Sequence, residues 1–302
     1  KRIIILKGDL SEPKLGLSDT EFMKLAKEID VIYHNGAWVN HIYDYENLRN
    51  TNVMSTKELL KLATIEKNKQ LHYVSTISAL SDYKNQNGSI KENFVSSKFM
   101  PVMDGYNQTK RVNEILLTEA KTRGIDIKIY RPSLILGNPQ TGLVPTDNYH
   151  ISLLLQGCVQ MKCAPDWDMY LNIVPVNFVS HFIAKTSLAS NFQKNVFNLA
   201  NREIIRWVDL IELLNKKNNC IELISTPEWQ KKLLYAEKDN ALFRLLPLYA
   251  KNTFHNNKND MFQSKVVSLN TDYAIKRLNI SLPPKSKFIL DNYLLYLTNK
   301  ID

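Results

Sequence analysis

Tyr106 and Lys110 stand four residues apart in Tyr106-Asn107-Gln108-Thr109-Lys110, where a helical run begins. Positions i and i+4 share one face of a helix, so a phenol and an ammonium can point into one site. A nearby ammonium favours phenolate over phenol and draws a tyrosine pKa down from about 10. Such a pair suits proton transfer at a carbonyl oxygen while hydride reaches or leaves the carbon. The spacing alone is a weak signal, because it also arises on solvated helix faces. Its weight comes from the polar groups Gly8-Asp9, Asn35-Gly36-Ala37, Ser75-Thr76 and Arg131-Pro132-Ser133.

Each of those groups follows a stretch that reads as a strand. Arg2 to Leu6 is a short apolar run stopped by Gly8-Asp9 and is expected as a buried strand. Val31 to His34, Leu71 to Ser75 and Ile127 to Tyr130 are further strands. Between them lie a helix from Ser18 to Ile29, with Ser18 and Glu21 forming a capping box, and a helix from about Glu46 to Thr64. The helix beginning near Tyr106 runs to about Arg123, with Gly124 as its C-cap glycine. Alternation of this length argues for an α/β fold, a parallel sheet with helices on both faces. Right-handed crossovers then line the strand C-termini along one rim, where ligands bind in such folds.

Beyond Leu136 the pattern loosens. Gly137 to Asn148 reads as a turn-rich loop, Ile151 to Gln160 as a helix and Leu171 to Val176 as a strand. A helix follows from Asn177 to Leu188, then a last sheet strand from Val196 to Leu199. Ile205 to Asp302 is expected to be mostly helical, with a short strand near Ile221 to Ile224 and an exposed loop over Lys251 to Asp260. These stretches predict two domains: residues 1–140 with 171–200 for the dinucleotide, and 141–170 with 201–302 as a smaller, mostly helical substrate cap.

Composition sets the bounds. The chain has 302 residues, 44% hydrophobic and 23% charged, which suits a globular protein with a full core. The net charge of +9 is spread singly or in pairs, so a basic solvated surface accounts for most of it and no nucleic-acid arm is expected. A sharper reading is attraction to an acidic partner or a phosphate-bearing substrate. Cys158, Cys163 and Cys220 match neither a disulfide framework nor a zinc site and read as thiols of a reducing cytoplasm. No metal site and no membrane span are expected.

In order along the chain, Gly8-Asp9-Leu10, Tyr33-His34-Asn35-Gly36-Ala37, His72-Tyr73-Val74-Ser75-Thr76, Gly105-Tyr106-x-x-x-Lys110 and Tyr130-Arg131-Pro132 resemble the extended short-chain dehydrogenase/reductases. More narrowly, the chain resembles the thioester reductase domains that end nonribosomal peptide synthetases, polyketide synthases and carboxylic acid reductases. His34 to Asn40, Asn52-Val53, Gly142, Gly157-Cys158 and Val174-Pro175-Val176 carry that narrower likeness. The resemblance implies a Rossmann-like sheet and NADPH-dependent release of a thioester from a phosphopantetheinylated carrier protein. The product would be an aldehyde, with further reduction to an alcohol open. Tyr106 would be the general acid, Lys110 its partner and ribose ligand, and Thr76 the donor to the substrate oxygen. Asp9, Leu10, Asn35, Gly36, Ala37, Arg131, Pro132 and Ser133 would meet the cofactor, together with Tyr106 and Lys110.

Several of these residues read equally well without chemistry. Ser75-Thr76 is also an ordinary strand-end cap, and Arg131 also suits a packing salt bridge. His34, His41 and His72 lack carboxylates at ligand spacing and read as structural histidines, and Asp166 and Asp168 as a surface turn. Trp38 and Tyr43 suit the mouth of a substrate path or the core.

No Gly-x-x-Gly-x-x-Gly occurs among the nine glycines, so the phosphate-cradling turn that opens this fold is missing. The chain therefore reads as N-terminally truncated, a fragment that begins at the third strand of the usual sheet. The residue that separates NADP from NAD normally follows the second strand, so NADPH rests on the resemblance. Two other readings stay open: an acyl-CoA reductase of the same superfamily, and a truncated non-catalytic domain that binds a carrier protein or a neighbouring domain.

Overall fold

The computed structural model describes residues 2–80, 89–95, 104–144, 149–190, 192–250 and 265–298. Its strands are β1 (Val31–His34), β2 (Gln70–Val74), β3 (Ser89–Ile90), β4 (Ile127–Pro132), β5 (Leu134–Leu136), β6 (Cys163–Pro165), β7 (Tyr170–Pro175), β8 (Val196–Leu199), β9 (Ile204–Arg206), β10 (Glu222–Ile224) and β11 (Lys265–Val266). The helices are α1 (Asp19–Glu28), α2 (Tyr45–Arg49), α3 (Ser55–Thr64), α4 (Gly105–Thr122), α5 (His150–Met161), α6 (Val176–Leu188), α7 (Trp207–Asn215), α8 (Thr226–Leu234), α9 (Leu246–Tyr249), α10 (Leu269–Arg277) and α11 (Ser286–Thr298).

Two compact units share the chain. The first takes Lys1–Pro132, Thr186–Asn198 and Lys265–Ala274; the second takes Ser133–Lys185, Leu199–Ser264 and Ile275–Asp302. The units thus part at Pro132, whereas the sequence suggested a boundary near residue 140.

The first unit is built on a sheet of order β1-β2-β4-β8. Pairing is parallel from β1 to β2, with Val31 opposite Gln70, and from β2 to β4, with Leu71 opposite Ile127. Every residue of β4 is buried, as expected of a central strand covered on both faces. Its core joins Leu71, Tyr73, Ile127 and Ile129 of the sheet to Phe22 and Ala26 of α1, Leu62 and Ala63 of α3, and Leu117 of α4. The capping box of Ser18 and Glu21 opens α1 as the sequence predicts. Since β1, β2 and β4 run parallel, Asn35, Ser75 and Ser133 all follow strand ends on one rim.

The second unit holds β5, β7 and β9 in one sheet, β7 pairing parallel with β5 and antiparallel with β9. A parallel pair of β6 and β10 lies beside α5 and α8, while α7 packs on β9 and α11 on β7 and β9. Its core is aromatic at the centre, where Trp167, Trp207, Trp229 and Tyr249 stack or meet edge to face. Cys158 and Cys163 are buried free thiols and Cys220 is an exposed one.

Two expectations fail. Arg2 to Leu6 forms no strand, and Ile3, Ile4 and Ile5 are 75%, 81% and 89% exposed. The run has the composition of a strand, but a strand also needs a neighbour to hydrogen-bond. The single helix expected from Glu46 to Thr64 is interrupted by a π turn at Asn50–Met54, which separates α2 from α3. Such turns widen a helix by one residue and often sit at functional places. The expected loop at Lys251 to Asp260 lies outside the described residues.

Candidate active site

Helix α4 carries both Tyr106 and Lys110. Asp104 caps it, accepting the Asn107 backbone N–H at 3.0 Å and the Asn107 side-chain amide at 2.5 Å. Gly105 lies so close to the preceding loop that a Cβ would come within 2.3 Å of the Asp44 carbonyl carbon. Tyr106 is half-buried and Lys110 is buried. The Lys110 ammonium donates to the carbonyl of Val74, the last residue of β2, at 2.7 Å. It also lies 4.9 Å from the centre of the Tyr73 ring and 5.8 Å from that of Tyr106.

Burial pulls the Lys110 pKa down to about 8, against the opposing pull of Glu114. The group is still mainly cationic at neutral pH. Tyr106 departs from expectation: burial, with the charge of Asp104 added, pushes its pKa up rather than down. The cost of placing a phenolate out of water outweighs an ammonium that is already committed to Val74. Tyr106 therefore holds its proton, as a donor to a carbonyl oxygen must.

Thr76 lies two residues beyond Val74, within about 7.6 Å along the chain. Its hydroxyl oxygen accepts the Ser78 backbone N–H at 3.2 Å, which leaves the hydroxyl proton free to donate. Ser75, by contrast, gives its hydroxyl to Glu114 at 2.5 Å inside the unit. That difference favours Thr76 over its neighbour as a substrate contact.

Arg131 does not reach the rim as a ligand. Its side chain is fully buried in an ion pair with Glu114, closest at 2.6 Å, and donates as well to the Lys91 and Asn93 carbonyls. The packing salt bridge is the reading the structure supports. Pro132 ends β4 and is buried; Ser133 opens the second unit with a hydroxyl that has no hydrogen-bond partner among the described residues.

The remaining candidates sit on two loops. Asp9 is exposed and accepts the Ser11 backbone N–H at 2.8 Å and its hydroxyl at 2.6 Å, contacts that hold its carboxyl below the usual range. Leu10 packs over Gly36 so closely that a Cβ there would meet its Cδ1 at 2.7 Å. This contact brings Asp9-Leu10 and Asn35-Gly36-Ala37 together.

Three further residues shape the site. Asn52, inside the π turn, accepts the Trp38 N–H at 2.7 Å and donates to the Trp38 carbonyl and the Thr109 hydroxyl, so it fastens the loop after β1 to α4. His41 sets its ring edge-on against Tyr106 at 5.6 Å between centres, although the sequence offered only a structural histidine. Glu114 stands one turn after Lys110; its i+4 spacing was the signal that could have found it. His34 bonds Thr56 at 3.0 Å, and His72 bonds Tyr130 and Gln70 at 2.8 and 2.7 Å, as structural histidines do. Trp38 and Tyr43 meet edge to face and are both partly exposed on the loop beside α4.

A parallel sheet with a Tyr-x-x-x-Lys helix facing its strand ends defines the extended short-chain dehydrogenase/reductase fold. The profile of the male sterility protein family, a group of NAD-binding domains, matches residues 1–183. A component of the linear gramicidin synthase of Brevibacillus parabrevis is 34% identical over 80% of this chain, which corresponds to 5% of that protein. L-2-aminoadipate reductase of Saccharomyces cerevisiae is 30% identical over 90% of the chain and 21% of its own length. The terminal R domain of the myxalamid PKS-NRPS pathway superposes with a TM-score of 0.86 at 32% identity, covering 99% of this chain and 75% of that one. UDP-glucuronic acid 4-epimerase of Bacillus cereus shares the fold at a TM-score of 0.61 and 18% identity. The chain belongs to the male sterility protein family of NAD-binding domains, and it spans a quarter or less of the length of the curated relatives named here.

Proposed function

We propose that this chain is the catalytic part of an NADPH-dependent reductase that releases an acyl or peptidyl thioester as an aldehyde, the acyl group being carried on a phosphopantetheine arm. The observation that carries this reading is the Tyr106–Lys110 pair on α4, held at the end of β2 by the 2.7 Å bond from Lys110 to Val74. A solved thiolation-reductase di-domain shares the fold at 19% identity, which supports a carrier domain as partner, and the charge of +9 suits an acidic one.

The residues present fit the nicotinamide-ribose end of a dinucleotide. Lys110 uses one of its three N–H bonds on Val74 and can offer another to a ribose hydroxyl. Leu10 packs directly on Gly36 and so holds the Asp9-Leu10 and Asn35-Gly36-Ala37 loops together at the rim where the dinucleotide would lie. When bound, the reduced nicotinamide supplies hydride to the thioester carbonyl carbon. Tyr106 gives its phenolic proton to the carbonyl oxygen, and Thr76 donates a hydrogen bond to that oxygen as charge gathers there. Lys110 lowers the cost of the phenolate left behind. As the C–S bond of the resulting hemithioacetal breaks, its hydroxyl proton returns to the Tyr106 phenolate and the departing thiolate takes a proton from water, so that aldehyde and thiol leave.

The test follows NADPH oxidation with an acyl thioester on a carrier domain and, separately, on coenzyme A. Tyr106→Phe is expected to lower kcat by roughly 100-fold or more. Turnover indifferent to that change would sink the reading. Preference for the coenzyme A ester would replace the carrier with a soluble acyl donor. Carrier binding with no turnover at all would leave a docking domain.

A further inference from the structure

We propose that Glu114 is a positioning residue of this site, which locks Thr76, Tyr106 and Lys110 into one geometry through Ser75 and Arg131. The inference rests on the reductase reading of those three residues. Tyr106, Lys110 and Glu114 occupy successive i+4 positions of α4. The Glu114 side chain is fully buried, and so is that of its partner Arg131. One carboxylate oxygen accepts the Ser75 hydroxyl at 2.5 Å and the Arg131 Nε at 3.0 Å. The other accepts Nε at 3.1 Å and a terminal guanidinium nitrogen at 2.6 Å. Arg131 closes the cluster on the Lys91 carbonyl at 3.1 Å and the Asn93 carbonyl at 2.8 Å.

Three elements therefore meet at one carboxylate. Ser75 is the residue before Thr76, Arg131 lies at the end of β4, and Glu114 is one turn from Lys110. A buried ion pair is a poor way to gain stability, since well-packed apolar residues do as well or better. It is a good way to fix three backbones to within a fraction of an ångström, which is what a proton donor, a cation and an oxyanion donor require of one another.

Glu114 also acts on Lys110 by charge. The groups around the ammonium are Tyr106 and Glu114 on α4, Tyr73 on β2 and His34 on β1, with Arg131 beyond Glu114. Burial keeps both tyrosines protonated and His34 neutral. Glu114 is thus the anion that favours the charged form of Lys110, against the desolvation that disfavours it.

Glu114→Gln keeps the shape and the acceptor for Ser75 but removes the charge. In the thioester assay kcat is expected to fall at least about 10-fold with KM for thioester and NADPH nearly unchanged. The basic limb of kcat/KM, set near pH 8 by Lys110, is expected to move about half a pH unit or more to lower pH. Glu114→Asp should bring the limb back while recovering only part of kcat. A Gln variant that loses thermal stability but keeps the wild-type profile would overturn the inference. If Glu114→Gln does not fold, Ser75→Ala carries the test: a fall in kcat of about threefold or more at constant KM supports the lock, and an unchanged kcat overturns it. Titration of Lys110 by carbon NMR of labelled lysine needs no turnover. A midpoint that Glu114→Gln leaves in place refutes the inference even if the protein reduces nothing, whereas absence of Tyr106-dependent turnover refutes only the reductase reading.

Discussion

Tyr106 and Lys110 work at a distance set less by their own contacts than by how the start of α4 is pressed against the loop before it. Gly105 is the contact point: a Cβ there would stand 2.3 Å from the Asp44 carbonyl carbon, 2.5 Å from the Tyr43 carbonyl oxygen and 2.6 Å from the Tyr45 nitrogen. All three are backbone atoms, so no side chain can rotate away. Gly105→Ala is expected to displace the first turn of α4 and Tyr106 with it, cost about 1–3 kcal/mol in denaturant unfolding, and lower kcat by about 10-fold or more. A variant with native activity would show that the loop yields and that the site does not depend on this approach. The pair itself was legible because i and i+4 residues are neighbours on any helix. The rise in the Tyr106 pKa was not, because it comes from burial and from Asp104, and burial is a property of the folded chain. Arg131 went astray for a related reason: its position after a strand fits a ligand contact, while the carboxylate that captures it lies 17 residues away on α4.

At the scale of elements, what could be read was whatever is settled within a turn or two. The Ser18–Glu21 capping box spans three residues, and α1 starts where it predicts. Strand β4 could be read from its apolar Ile127, Ile129 and Tyr130, stopped by Arg131-Pro132. Arg2 to Leu6 has the same character and yet is exposed coil, since pairing, not composition, makes a strand. The π turn that divides α2 from α3 is fixed by Asn52 reaching Trp38, 14 residues back, and Thr109, 57 residues on. Farther still is the joint that docks α10 on the sheet. Glu92, after β3, accepts the Asn198 N–H at 2.8 Å, the Thr271 N–H at 3.1 Å and hydroxyl at 2.6 Å, and the Asn270 N–H, across separations of up to 179 residues. No local pattern announces such a contact. Glu92→Ala leaves these donors buried without an acceptor and is expected to cost about 2–4 kcal/mol. Hydrogen exchange should show the loss first at α10 and β8; a uniform change, or none, would mean that the joint does not hold α10.

For the molecule as a whole, mild acid acts first on its buried histidines, of which His34 and His72 lie in the sheet. Burial, helped by the charge of Lys110, lowers the His34 pKa to about 3, and burial with Lys128 lowers that of His72 to about 4, against 6.5 when unfolded. Between those values and 6.5 the unfolded chain takes up protons that the folded chain refuses. Stability therefore falls as pH drops below 6.5, by at most about 1.4 kcal/mol per pH unit for each histidine. The carboxylates held low by their hydrogen bonds, such as Asp30 and Asp44, have ordinary values of 3.8 and lose their contribution only at the acid end of that window. Glu92 opposes the trend, because burial raises its pKa and the folded state then binds its proton first on acidification. Down to about pH 5 the histidines dominate. Thermal unfolding from pH 7.5 to 5 should show a falling Tm in the wild type. The slope should be clearly flatter in His72→Gln, whose amide can still bond Tyr130 without taking up a proton. An equal slope in both would deny His72 its share in the acid sensitivity.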